Sequence, residues 1–137
     1  MKNLSNFKIP VKTREYLIQA IYQMLFNDQK VSDIIKQFKK EHKNKKVDFN
    51  LFSTSLRSLE KNKKEIELIL DSLDIKISSI ELIDKSILFF AINEMLNGSL
   101  DKPVAIDESI RLSKKFSSPE SYKFINVSLD KFLKKIS

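Results

Sequence analysis

The sequence predicts an all-α fold, a bundle of six to seven helices joined by short connections. Two observations carry this reading. Apolar residues recur at steps of three and four almost from end to end, the spacing that gathers them on one face of a helix. The 137 residues also contain one glycine and three prolines, so few positions interrupt a helix.

The first helix is expected over residues 12–27, where Leu17, Ile18, Ala20, Ile21, Met24 and Leu25 share a face. Ser32 reads as the N-cap of a second helix, which fades in the lysine-rich stretch 39–46. Asp48 caps a segment carrying Leu51, Phe52, Leu56 and Leu59, and a separate helix follows over 63–73. Ser78 and Glu81 have capping-box spacing ahead of a long helix that ends at Asn97 and Gly98. That helix is apolar nearly all round, which places it at the centre of a bundle or under a partner. Pro103 opens the next helix at about its first position. Asp107 and Glu108 fall in its first turn, and Lys114 and Lys115 in its last. Ser118 and Pro119 start the final helix, in which Tyr122, Ile125, Leu129, Phe132 and Ile136 step 3, 4, 3, 4.

Composition removes several kinds of chemistry. Without cysteine there is no disulfide, no thiolate nucleophile and no cysteine zinc site. His42 is the only histidine, read as solvated, and a single glycine excludes Gly-rich phosphate loops. The acidic pairs Asp107–Glu108 and Glu81–Asp84 fit helix capping or lysine pairing better than catalysis. The chain is therefore expected to be no enzyme and to need no cofactor and no metal.

Charge points to a partner instead. The formal net charge is +7, and residues 1–46 hold 11 basic and 4 acidic groups while 47–137 hold 14 of each. All of the excess lies in the first third. That asymmetry suits a polyanion, nucleic acid or an anionic membrane surface; a lysine run such as 39–46 equally suits a solvated face. No address is legible: residues 4–11 are broken by Lys8 and Pro10, and the longest apolar run, 87–92, is six residues. A spanning helix needs about 20. A cytoplasmic protein with no membrane association is expected.

Two aromatic residues stand off the core stripes. At 100° per residue, Phe124 lies about 130° from the centre of the last helix's stripe. Lys131 and Lys135 are near it, with Lys123 and Lys134 at its flank and Val127 also outward. An aromatic amid basic groups is an arrangement for stacking a single-stranded base, unless the ring packs beneath a neighbouring helix. Tyr22 lies over about 100° from the apolar centre of the first helix, in a sector shared with Phe26 and Gln19 and flanked by Gln23 and Lys12.

Several segments then resemble one family. Residues 102–116 (KPVAIDESIRLSKKF) are similar to the P-x-x-V/A-AINEAVELAKxF segment of the NusB antitermination factors. Residues 120–126 (ESYKFIN) and 129–131 (LDK) follow at the family's distance, resembling S-x-K/R-F-V-N-G-V-L-D-K. Arg14-Glu15 with 19–22 (QAIY) resembles R-E-x-A-x-Q-A-L-Y, and Ile83-Asp84, Ile87-Leu88 and Glu94 resemble a further family helix. The resemblance covers essentially the whole chain, so residues 1–137 are expected to form a single NusB-like helical RNA-binding domain, built as two packed small bundles. It implies a protein without enzymatic activity that pairs with the ribosomal protein NusE and binds the single-stranded boxA element of ribosomal RNA operon transcripts, within the transcription elongation complex. RNA contacts would fall to Lys12, Arg14, Tyr22, Glu120, Lys123 and Phe124, and Asp84 would lie on the helix facing NusE. The alternatives are a helical protein-interaction scaffold, dimeric through the apolar helix, or a detached accessory domain of an RNA methyltransferase. The chain departs from the family pattern at Ser117 and Val127, where glycine is usual, at Ser128, where a larger apolar residue is usual, and in the N-terminal arginine cluster, reduced to Lys8, Lys12 and Arg14.

Overall fold

The computed structural model describes residues 4–75 and 80–137, with side chains from residue 9 onward. Six α-helices make up its secondary structure among these residues: α1 Leu4–Asn27, α2 Val31–Glu41, α3 Phe49–Ser72, α4 Leu82–Asn97, α5 Lys102–Phe116 and α6 Ser121–Ile136. The chain divides into two compact units, residues 1–60 and 61–137, with the division inside α3.

In the first unit, α1 and α2 pack together. The α1 stripe (Leu17, Ile18, Ala20, Ile21, Met24) is buried, as are Val31, Ile34, Ile35 and Phe38 of α2 and Phe52, Leu56 and Leu59 of α3. Helix α1 begins eight residues earlier than its apolar pattern suggests and runs through Pro10. Pro10 is the seventh residue of α1, so it removes the ladder bond to the Asn6 carbonyl and its ring crowds that carbonyl, within two turns of the helix start. Helix α2 starts at Val31 with Lys30 as its N-cap, so Ser32 lies within the first turn and caps nothing. Asp48 does cap α3, accepting the Leu51 N–H at 3.0 Å.

Helix α3 corrects the expectation of two segments: it is continuous over 24 residues. The polar stretch 60–65 holds good helix formers and neither Gly nor Pro. Buried Phe52, Leu56, Leu59, Ile66, Leu70 and Leu73 step 4, 3, 7, 4, 3, so one stripe keeps its phase across the polar gap.

In the second unit, α4, α5 and α6 all pack against one another. Every residue of α4 from Ser86 to Met95 is buried, and Ile87, Leu88, Phe89 and Ile92 are fully enclosed. Each such large side chain contributes about 1.5–3 kcal/mol by leaving water. The apolar helix is thus covered from within the chain, and a homodimer through it lacks a free face. Its start differs from expectation: Glu81 is itself the N-cap, so it cannot complete a capping box, and Ser78 lies outside the described residues. It ends at Asn97, as expected, with the sole glycine, Gly98, as C-cap. Gly98 has an extended backbone (φ −92°), so its conformation does not demand glycine. Close approach does: a Cβ there would stand 2.8 Å from the Cα of Glu94 and inside the Glu94 carboxylate.

Helix α5 begins at Lys102, one residue before Pro103, which moves Asp107 and Glu108 beyond the first turn. Glu108 is buried and pairs with Arg111 three residues on. Lys114 and Lys115 do occupy the last turn. The Ser118–Glu120 stretch is a turn, and α6 begins at Ser121 with Ile125, Leu129 and Phe132 buried.

Candidate nucleic-acid interface

Helix α6 orients the first candidate surface. With Ile125, Leu129 and Phe132 fixed inward, helical geometry turns Phe124 and Val127 outward, and they keep 37% and 55% of their surface exposed. Phe124, Val127, Ser128 and Lys131 form one side of a recess of about 300 Å³, whose other lining residues are Leu73, Asp74, Ile75 and Ile80. The recess offers an aromatic ring, aliphatic walls, the Lys131 ammonium group, the Asp74 carboxylate and the Ser128 hydroxyl.

The lysines around Phe124 differ in their commitments. Lys123 pairs with Glu120 at 2.8 Å, Lys134 with Asp130 at 3.1 Å, and Lys135 donates to the Ser72 carbonyl at 3.1 Å. Lys131 is the one that lines the recess beside the ring. Glu120 and Lys123 are both well exposed, so their ion pair is worth under about 1 kcal/mol and yields readily to a stronger ligand.

Asp84, which the resemblance places on the helix facing NusE, lies in the first turn of α4. It is 7% exposed, and both carboxylate oxygens are engaged: Oδ1 accepts the Ser117 hydroxyl and Oδ2 the Ser121 hydroxyl at 3.1 Å. Ser118 and Ser121 share a further hydrogen bond of 2.7 Å. The buried carboxylate thereby ties the start of α4 to the α5–α6 turn, three residues before Phe124. In the structure it braces that turn. Ser117 fits this position without strain (φ −107°), and its hydroxyl supplies a bond that glycine could not make.

The first unit carries the second candidate surface, on α1. Tyr22 and Phe26 are 39% and 67% exposed, and their rings are nearly parallel, 15° apart with centroids 6.0 Å from each other. Gln23 donates to the side chains of Gln29 (2.6 Å) and Gln37 (2.7 Å), fixing the α1–α2 corner beside the two rings. Further toward the N-terminus, Lys12 lies 3.5 Å from Glu15 and 5.4 Å from the Tyr16 ring centroid, and Arg14 is half-buried. His42 packs on Tyr16 and Phe38, with centroids 4.2 and 5.5 Å away, which corrects its reading as a solvated residue.

The sequence places Lys131 beside Phe124 and Phe26 beside Tyr22, although the resemblance assigns neither to RNA; the aliphatic walls Leu73, Ile75 and Ile80 were not nominated at all. Lys131 and Phe26 share the outward sectors of Phe124 and Tyr22, so helical geometry alone carries their signal. The walls come from the α3–α4 connection, and no local spacing announces them. Among the described residues, no group of three or more His, Asp or Glu side chains could hold a metal ion, and no helix is long and apolar enough to cross a membrane.

Comparison with known proteins matches residues 11–134 to the NusB family. A transcription antitermination protein NusB from Tolumonas auensis is 36% identical over 128 residues, covering 91% of this chain and 92% of its own length. The protein of that name from Aeromonas hydrophila is 34% identical, covering 92% and 93%. The one from Clostridium perfringens is 34% identical over 132 residues, covering 92% and 97%.

Proposed function

This chain belongs to the NusB family, and from that premise we propose that it serves transcription antitermination by binding boxA-type single-stranded RNA together with the ribosomal protein NusE. The observation that carries the reading is the pairing of an exposed Phe124 with Lys131 at one recess. A ring face stacks on any base, and a neighbouring ammonium meets the adjoining phosphate. Tyr22 and Phe26 offer further ring faces, and Lys12, Arg14 and Lys123 further cations. Glu120 accepts hydrogen bonds from base edges or ribose once Lys123 is drawn to phosphate.

The protein acts in this reading by presenting preformed helix faces, with no bond made or broken. Asp84 contributes by holding the α5–α6 turn, and hence Phe124, in place. A gel shift with boxA RNA and a scrambled RNA of equal length, with and without NusE across a salt series, tests it. Preference for boxA, tightened by NusE and weakened by salt, is the expected result. Equal binding of the two RNAs in the presence of NusE overturns it.

A further inference from the structure

Residues 39–46 place Lys39, Lys40, Lys43, Lys45 and Lys46 within eight positions, all of them exposed. The sequence leaves open whether such a run is a solvated surface or a contact. Its tertiary attachment is specific. In the middle of the run, the His42 ring packs on Tyr16 of α1, and the His42 N–H donates to the Phe38 carbonyl at 2.9 Å. Two residues past its end, the Asp48 N–H donates to Thr13 Oγ1 of α1 at 2.9 Å. Thr13 is fully buried and itself donates to the Ile9 carbonyl at 2.7 Å. Between these points, Lys45 N–H bonds the His42 carbonyl and Val47 N–H the Lys45 carbonyl, folding the segment into tight turns.

The run is therefore pinned, at its middle and just past its end, to Tyr16 and Thr13 of α1, the stretch that adjoins Lys12 and contains Arg14. Lys12 Nζ stands over the same Tyr16 ring on which His42 packs. Lysines some thirty positions away in sequence are brought to the α1 cations. The acids in and beside the run have other tasks: Glu41 accepts from Gln37 at 3.1 Å, and Asp48 caps α3. Among the described residues, none of the five lysines forms an ion pair.

We infer that residues 39–46, with Lys12 and Arg14, form an electrostatic track for the phosphodiester backbone of single-stranded RNA, adding affinity without base preference. The inference rests on the RNA-binding reading above. Lysine suits the task, being a mobile point charge on a long stem rather than a planar fork. The run carries no exposed apolar side chain, and a membrane-surface segment needs an apolar face to bury. That favours RNA phosphate over lipid.

The test compares wild type with the triple variant Lys43→Gln/Lys45→Gln/Lys46→Gln on boxA and scrambled RNA, from about 50 to 300 mM salt. Each phosphate contact on a single strand contributes about 0.7 to the slope of log affinity against log salt. Loss of three contacts makes the slope shallower by about 2 on both RNAs and leaves their affinity ratio unchanged. The corresponding triple arginine variant keeps the wild-type slope and melting curve, and the glutamine variant, relieved of like-charge repulsion, melts no lower than wild type. An unchanged slope overturns the inference, and so does weakening confined to boxA. Wild-type binding to phosphatidylserine vesicles, lost in the glutamine variant while its RNA slope is intact, overturns it in favour of a membrane. Equal affinity of wild type for the two RNAs overturns the boxA reading alone, because the slopes on scrambled RNA still decide this one.

Discussion

Both carboxylate oxygens of Asp84 accept serine hydroxyls from the turn that leads into α6. Truncation in Asp84→Ala leaves those hydroxyls without their acceptor in a buried place, a loss of about 1–3 kcal/mol. Urea unfolding should read that loss, and Asp84→Asn, which keeps one acceptor oxygen, should recover part of it. An alanine variant as stable as wild type would remove Asp84 as a brace. Phe124 calls for the opposite pattern. In Phe124→Ala, RNA binding should weaken by about 1–3 kcal/mol while the melting temperature barely moves. Fluorescence anisotropy and thermal melts separate the two effects, and a large drop in melting temperature would make the ring a packing residue instead. The two residues also differ in how they can be read from sequence. Phe124 is legible because exposure on a helix follows from angular position relative to its own stripe. The environment of Asp84 depends on serines 33 and 37 positions later, which no local pattern encodes. His42 was opaque for the same reason: its lysine neighbours suggest solvent, but Tyr16 covers it from another helix.

Helix existence was legible nearly everywhere, because stripe periodicity reports which residues must leave water. Helix ends were less so. Ser32 and Ser78 have the chemistry of caps, yet α2 and α4 are preceded by Lys30 and Glu81. Packing of the apolar stripe decides where each helix begins, and a cap worth about 1 kcal/mol follows or fails to follow. The division of α3 into two was an error of a different kind. A polar stretch in a helix signals solvent exposure, whereas a break requires a residue that cannot continue the ladder. Lys61→Pro distinguishes the two arrangements. Proline between separate helices would cost little; in the interior of continuous α3 it should cost about 3 kcal/mol. Denaturant unfolding of this exposed-site variant measures the difference.

At the scale of the whole chain, the class of protein was legible from ordered motifs along the sequence, and charge asymmetry pointed to a polyanion without choosing one. The placement of the charge was not legible. The hydrogen bond from Asp48 to Thr13 and the His42–Tyr16 contact turn a linear excess into a local one in the first unit, since five lysines are held against the helix that carries Lys12 and Arg14. Like charges held together repel, and the cost falls as salt screens them. The pinned lysine segment therefore gives added salt two opposite effects. The free protein should melt higher as salt rises, while the rise in melting temperature produced by RNA should shrink, and differential scanning fluorimetry with and without RNA can follow both. Strain of this kind is relieved whenever a polyanion arrives, so the protein is most stabilised by its ligand under the ionic conditions in which it is least stable alone.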